Sequence, residues 1–151
     1  MTSPMPSTSP DCVFCRIIAG TEAGEVVWED AVAVGILDTR PLFHGHTLVV
    51  PRRHVVTLAD LEPVEVGPFF ERVRSIAALM PRATGCVGTF VANNNLVSQS
   101  VAHLHVHVVP RTKGDGLRGF FWPRTTYADG ELAATGERLR AVFDASHSAP
   151  S

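Results

Sequence analysis

Three histidines alternate with apolar residues in the run His103-Leu104-His105-Val106-His107-Val108-Val109. An extended strand turns successive side chains to opposite faces, so the three imidazoles share one face while Leu104, Val106 and Val108 enter the core. At a rise of about 3.3 Å per residue, neighbouring imidazoles stand roughly 6–7 Å apart at the backbone. Imidazoles titrate near neutrality and serve as nucleophile, base or metal ligand, which makes them poor core filler. Two chemistries fit such a face. Adjacent strand histidines can chelate one metal ion. Alternatively one of them attacks phosphorus, its second nitrogen held by a backbone carbonyl so that a lone pair faces the substrate. A further signal lies near the start, where two residues separate Cys12 from Cys15. In a reducing compartment that spacing points to metal or redox use, and redox use is disfavoured without a βαβ context. Cys86 is isolated and reads as an ordinary buried residue.

The chain that must position these groups has 151 residues, enough for one domain and short of two well-built ones. It is 45% hydrophobic, so a core is available. Thirteen Lys and Arg against fifteen Asp and Glu leave a formal charge of -2. That balance argues against coating nucleic acid or an anionic membrane by bulk charge. Residues 1–10 read as a disordered leader without the apolar run of a signal peptide, residues 11–145 as one domain, and 146–151 as a frayed tail. No segment approaches the roughly 18 apolar residues of a membrane span. The expected location is the cytoplasm, where thiols stay reduced.

Periodicity predicts the elements. Val13 to Ala19 forms one or two helical turns ending at Gly20. Strands are expected at Glu25–Glu29 and Ala31–Leu37, joined by a tight turn at Glu29-Asp30, and at His46–Val50, stopped by Pro51. A long helix runs from about Glu62 to Met80, with Val66, Phe69, Phe70, Val73, Ile76, Ala77 and Met80 at helical spacing. Pro68 conflicts with it, implying an irregular first turn or a later start. Val87–Ala92 and His103–Val109 complete the strands, and a last helix spans Asp129 to Ala145 with Asp129 as cap. Strands in runs with two separated helices imply an α+β domain on an antiparallel sheet.

Three blocks together carry a family resemblance. The run from His103 to Val109 resembles the His-x-His-x-His-x-x motif of the histidine triad (HIT) family of nucleotide hydrolases and transferases. Cys12-Val-Phe-Cys-Arg-Ile-Ile-Ala-Gly20, Gly45-His-Thr-Leu-Val-Val-Pro-Arg-Arg-His54 and Gln99-Ser100 follow the family's order and spacing from Cys12 to about Arg111. Within the family the chain looks like a bacterial Hint-like member carrying zinc-ligand cysteines. The resemblance implies a HIT-like fold, an antiparallel sheet of about five strands with two main helices, in a homodimer.

It also implies roles. His105 would attack an α-phosphorus and form a covalent nucleotidyl-histidine that water then releases. The substrate would be a nucleoside phosphoramidate or dinucleoside polyphosphate. The alternative is a nucleotide-binding regulatory protein with little turnover. His107 and His46 would attend the phosphate. Asn93, Gln99 and Ser100 would contact the phosphate and leaving group, and Asp38 the ribose hydroxyls. Val13, Phe14 and Ile17 would wall the base, a purine nucleotide or nucleotide conjugate being the expected partner. Asp38 also suits the start of the turn through Pro41, and Asn94 and Asn95 suit a turn because Asn tolerates unusual backbone angles. Zinc, in a closed and therefore structural site, would be held by Cys12, Cys15, His54 and His103. No role carries over to the basic and aromatic run Arg111, Lys113, Arg118, Phe120, Phe121, Trp122 and Arg124, although such a mix can grip phosphates or stack on a base.

Overall fold

In the computed structural model, residues 8–117 and 124–148 are described. The elements in chain order are α1 (Val13–Ala19), β1 (Val26–Glu29), β2 (Ala33–Leu37), β3 (Thr47–Pro51), a 3-10 turn (Leu58–Asp60), α2 (Pro63–Thr84), β4 (Gly88–Ala92), β5 (Val106–Arg111) and α3 (Glu131–Ser148). Two compact units result, Met1–Asp115 and Gly116–Ser151. The first holds the sheet with α1 and α2, and the second holds α3. The five strands pair antiparallel throughout in the order β1-β2-β3-β5-β4, the α+β architecture expected from the strand runs.

Alternation along β2 and β3 sends side chains into two separate cores. Ala33 and Val49 join Val106 and Val108 of β5 beneath Phe69, Val73, Ile76 and Met80 of α2. Val34, Ile36, Leu48 and Val50 face the other way, onto Phe14 and Cys15 of α1. Burying each large side chain contributes about 1.5–3 kcal/mol. The central strands thus have no face left for solvent, which holds the residues at their ends in fixed places.

Several boundaries shift from the sequence expectation, β3 for example taking in Pro51 instead of stopping before it and β5 running on to Arg111, and three of the shifts have a clear local reason. Helix α2 runs straight through Pro68 and on to Thr84. Proline at that position leaves the Val64 carbonyl without its helical donor, and Val64 is 83% exposed, so water can serve it. Strand β2 begins at Ala33, not Ala31. The Asp30 carboxylate accepts the Val32 and Ala33 N–H groups at 2.8 and 2.9 Å, closing a turn that takes up residues 31 and 32. Helix α3 begins at Glu131, two residues after Asp129, and its own Glu131 carboxylate accepts the Ala128 N–H at 3.1 Å.

The fourth difference matters most. Strand β5 begins at Val106, so His103, Leu104 and His105 lie outside the ladder. The register pairs Val49 with Val106, which would bring Pro51 opposite Leu104. Proline has no N–H to give, and the ladder ends there. Leu104 instead donates to the Val55 carbonyl at 2.8 Å. The inward side of the alternation survives, since Leu104, Val106 and Val108 are all buried.

Candidate functional site

His105 is 2% exposed, and its Nδ1–H donates to the His103 carbonyl at 2.7 Å. A neutral imidazole has one N–H and one lone pair, so Nε2 of His105 carries the lone pair. The His105 carbonyl in turn accepts from Nδ2 of Asn93 at 3.1 Å. Phe14 lies edge-on to the ring, its centroid 5.3 Å away. A nucleophile needs this kind of restraint, with one nitrogen tied back and the other presented.

A relay of partners sets the protons on the next two rings. The Leu42 N–H donates to Nδ1 of His46 at 3.1 Å, which puts the His46 proton on Nε2. That nitrogen lies 2.9 Å from Nδ1 of His107 and donates to it. His107 is therefore the Nε2–H tautomer, a donor whose ring centroid sits 5.1 Å from that of His105. Burial pushes the His107 pKa down to about 4, with His105 and His46 adding to the fall. Burial also lowers His46, against the pull of Asp38. The 3.7 Å approach of Asp38 to His46 is accordingly a contact with a neutral ring, not an ion pair. Gly45, with φ 103, leads into His46, and a Cβ there would lie 2.8 Å from Cγ2 of Thr84. Only glycine makes that turn freely.

His103 faces the other way. Its Nε2–H donates to the Pro51 carbonyl at 2.9 Å, so Nδ1 is the free lone pair. Nδ1 lies 3.4 Å from the Cys12 sulfur, 3.6 Å from that of Cys15 and 3.2 Å from Nδ1 of His54. His54 Nδ1 is 3.3 Å from the Cys15 sulfur, and all four donor atoms lie within 4.8 Å of one another. A tetrahedral ion with bonds of about 2.0–2.1 Å to nitrogen and 2.3 Å to sulfur separates its ligands by about 3.3–3.8 Å. The donor set fits such an ion, and a backbone carbonyl behind a ligating imidazole is the usual second support. Burial holds His103 down to about 4 and pushes the Cys15 thiol up, so the imidazole is in its ligating form while a thiolate needs a cation beside it.

The other expected contact residues are less uniform. Phe14 is buried and packs on His103 as well as His105, while Val13 and Ile17 are half-buried on α1. Asp38 accepts the Arg40 N–H at 2.9 Å, so it does begin the turn. Gln99 is committed to the loop: its amide donates to the Val56 carbonyl and accepts from the Leu96 N–H. Ser100 is exposed beside it. Positive φ falls on Leu96 and Ser98, not on Asn94 or Asn95, whose side chains staple the loop to Ser98 and Leu58. Arg111 pairs with Asp115, and positions 118–123 of the basic and aromatic run lie outside the described residues. Sequence reading expected a backbone carbonyl behind the attacking imidazole without placing it at His103, and it missed the Leu42 N–H and the Pro51 carbonyl. All are main-chain groups, to which residue type gives no signal.

A family model for the HIT domain matches residues 20–114. The chain belongs to the HIT family. Among curated relatives, adenylylsulfatase HINT3 of Arabidopsis thaliana is 38% identical over 109 residues, covering 71% of this chain and 55% of that protein. This HIT chain therefore spans about half the length of that relative. The adenosine 5'-monophosphoramidase hnt1 of Schizosaccharomyces pombe is 28% identical over 130 residues, covering 85% and 95%. Among solved structures, a HIT family member from Bacillus subtilis superposes with a TM-score of 0.78 at 29% identity, covering 93% of this chain and 99% of that one. A zinc-bound histidine triad protein from Mycobacterium smegmatis gives 0.64 at 36% identity, covering 93% and 98%. No helix among the described residues is long and apolar enough to cross a membrane.

Proposed function

We propose that this HIT protein is a nucleotide hydrolase or transferase that works at the α-phosphate through a nucleotidyl group held on His105. The tie of His105 Nδ1 to the His103 carbonyl carries the reading, because it leaves the Nε2 lone pair as the reactive group. That lone pair attacks phosphorus, the bond to the leaving group breaks, and the departing atom keeps the electron pair and takes a proton. Water then attacks phosphorus and gives up a proton to solvent as its oxygen–phosphorus bond forms, and the phosphorus–nitrogen bond breaks, freeing the nucleoside monophosphate and returning the pair to Nε2. The Nε2–H of His107 is placed to stabilise charge on the phosphoryl oxygens. Relatives named adenylylsulfatase and adenosine 5'-monophosphoramidase support an adenosine nucleotide as substrate, with a phosphoramidate as the leading class and dinucleoside polyphosphates next. Val13 and Ile17 on α1 supply an apolar wall for a purine, Asp38 an acceptor for ribose, and Asn93, Gln99 and Ser100 polar groups beside the phosphate.

Zinc is the ion proposed for Cys12, Cys15, His54 and His103; a closed four-ligand site of this kind supplies structure, not a reactive water. The M. smegmatis relative, which binds zinc, supports the choice of metal. A homodimer in the cytoplasm is the proposed working form, read out by light scattering and by cell fractionation. Single-turnover mixing with a nucleotide labelled at the α-phosphate tests the activity. An acid-labile adduct that is lost in His105→Ala is expected. Tight nucleotide binding with neither adduct nor turnover would replace the hydrolase with a regulatory binding protein.

A further inference from the structure

We infer that the Cys12, Cys15, His54 and His103 cluster, once it holds its metal ion, positions the nucleophile as well as the fold. The inference rests on the reading of His105 as nucleophile. One residue joins the two functions: the His103 ring belongs to the cluster, and the His103 carbonyl is the acceptor for Nδ1 of His105.

The segment that carries both groups has no strand to hold it, because the β-ladder begins only at Val106. Its restraints come from elsewhere and lead back to the metal ligands. The His103 ring is tied by the cluster at Nδ1 and by Pro51 at Nε2. The Leu104 N–H is tied to Val55, the neighbour of His54. Phe14, between Cys12 and Cys15, packs edge-on against both the His103 and His105 rings. Of the hydrogen bonds that tie residues 103–105 to other described residues, those from Pro51 and Asn93 are independent of a ligand or its neighbour, and the core packing of Leu104 and the His107 ring beside His105 add to them.

Remove the ion and the 3.2 Å approach of His103 Nδ1 to His54 Nδ1 is left to one N–H···N bond at most, with the proton on His54, in place of four metal bonds. Released from the ion, the His103 ring can shift, and its carbonyl shifts with it. His105 then loses the acceptor that keeps its proton on Nδ1, and the attacking lone pair is no longer presented. Positioning of this type acts on the chemical step directly, and on binding as far as α1, which carries Cys15 together with Val13 and Ile17, moves with the cluster.

The test compares the zinc-loaded chain, labelled with ¹⁵N-histidine, with the chelator-stripped chain, both confirmed folded by circular dichroism. In the loaded chain the His105 Nδ1–H proton should be sharp and downfield. In the stripped chain it should shift or broaden, and adduct formation at saturating nucleotide should slow about tenfold, the size of one lost hydrogen bond. Should the stripped chain fail to stay folded, the cadmium-loaded chain replaces it, and the larger ion must move the same resonance. An unchanged resonance and an unchanged adduct rate would reduce the cluster to a staple and overturn the inference. A resonance that moves in a protein forming no adduct even when loaded would uphold the coupling and remove the hydrolase reading instead.

Discussion

Asn93 offers a substitution in which stability and activity should part company. Its Nδ2 donates to the His105 carbonyl at 3.1 Å, while its Oδ1 is buried without a hydrogen-bond partner. Asn93→Ala removes both. Losing the bond costs about 0.5–1.5 kcal/mol and removing the orphaned oxygen returns about 1–3 kcal/mol, so the net change in unfolding free energy should lie between a loss of about 0.5 and a gain of about 2.5 kcal/mol. Adduct formation should nevertheless fall about tenfold, because the backbone that carries His105, the proposed nucleophile, loses its anchor and about 1.4 kcal/mol of positioning is a factor of ten in rate. Asn93→Asp should be worse, since an oxygen replaces the donor in front of a carbonyl. Its deficit should ease as pH falls and the acid protonates. Urea unfolding measured beside single-turnover kinetics decides the matter. A loss of 2 kcal/mol or more in Asn93→Ala at an unchanged adduct rate would refute the reasoning, for then the oxygen was satisfied and the anchor idle (about 2 kcal/mol being the cost of breaking a well-made buried bond).

Asp30 accepts from Trp28 and Arg72 at 3.0 Å as well as from Val32 and Ala33, so Asp30→Asn should cost about 2–4 kcal/mol and lower Tm by roughly 6–12 °C. Those four donors outweigh burial and hold the Asp30 carboxyl well below its ordinary 3.8. The stability it contributes is present above pH 3.8 and lost below it, so the gap between wild type and variant, followed by thermal melts, should narrow in acid. The neutral form of His107 contributes stability above pH 6.5 that is lost as pH falls from there to about 4, and a chain with His107→Gln should show a shallower slope over that window in urea titrations. Gly45→Ala should lower Tm by several degrees, roughly 1–2 kcal/mol of strain, and kcat with it, because the turn that delivers His46 cannot keep φ 103. Equal kcat in the alanine variant would show that His46 tolerates displacement.

Where residue type carries the information, the sequence is easy to read. Alternation in the histidine run correctly sends Leu104, Val106 and Val108 inward, but it does not foretell that His103 and His105 are buried as deeply on the opposite face. The two-residue spacing marks Cys12 and Cys15 as a pair, but their meeting with His54 and His103 needs the long-range fold and is suggested beforehand only by family resemblance. What stays hidden is the main chain. Nothing in the letters says that Pro51 ends the ladder opposite Leu104, that Leu42 sets the proton on His46, or that His103 offers its carbonyl to His105. Likewise the Pro68 conflict yields only once Val64 is seen to face water. Asp30, read beforehand as part of a simple turn, gathers donors from β1, β2 and α2 that no local pattern links.

The order in which the cluster's members are synthesised has its own consequence. Cys15 precedes His103 by 88 residues. A ribosome adding about 5–20 residues per second needs roughly 4–18 s to make that stretch. Through that interval the two thiols exist without their final partner, open to oxidation or to capture by a stray ion. The cluster closes only when the segment bearing His103 and His105 arrives. An ion held by all four residues therefore certifies that the chain has been made through His105 and folded around it, and a nascent chain exposed to oxidant before that moment should be the one that fails.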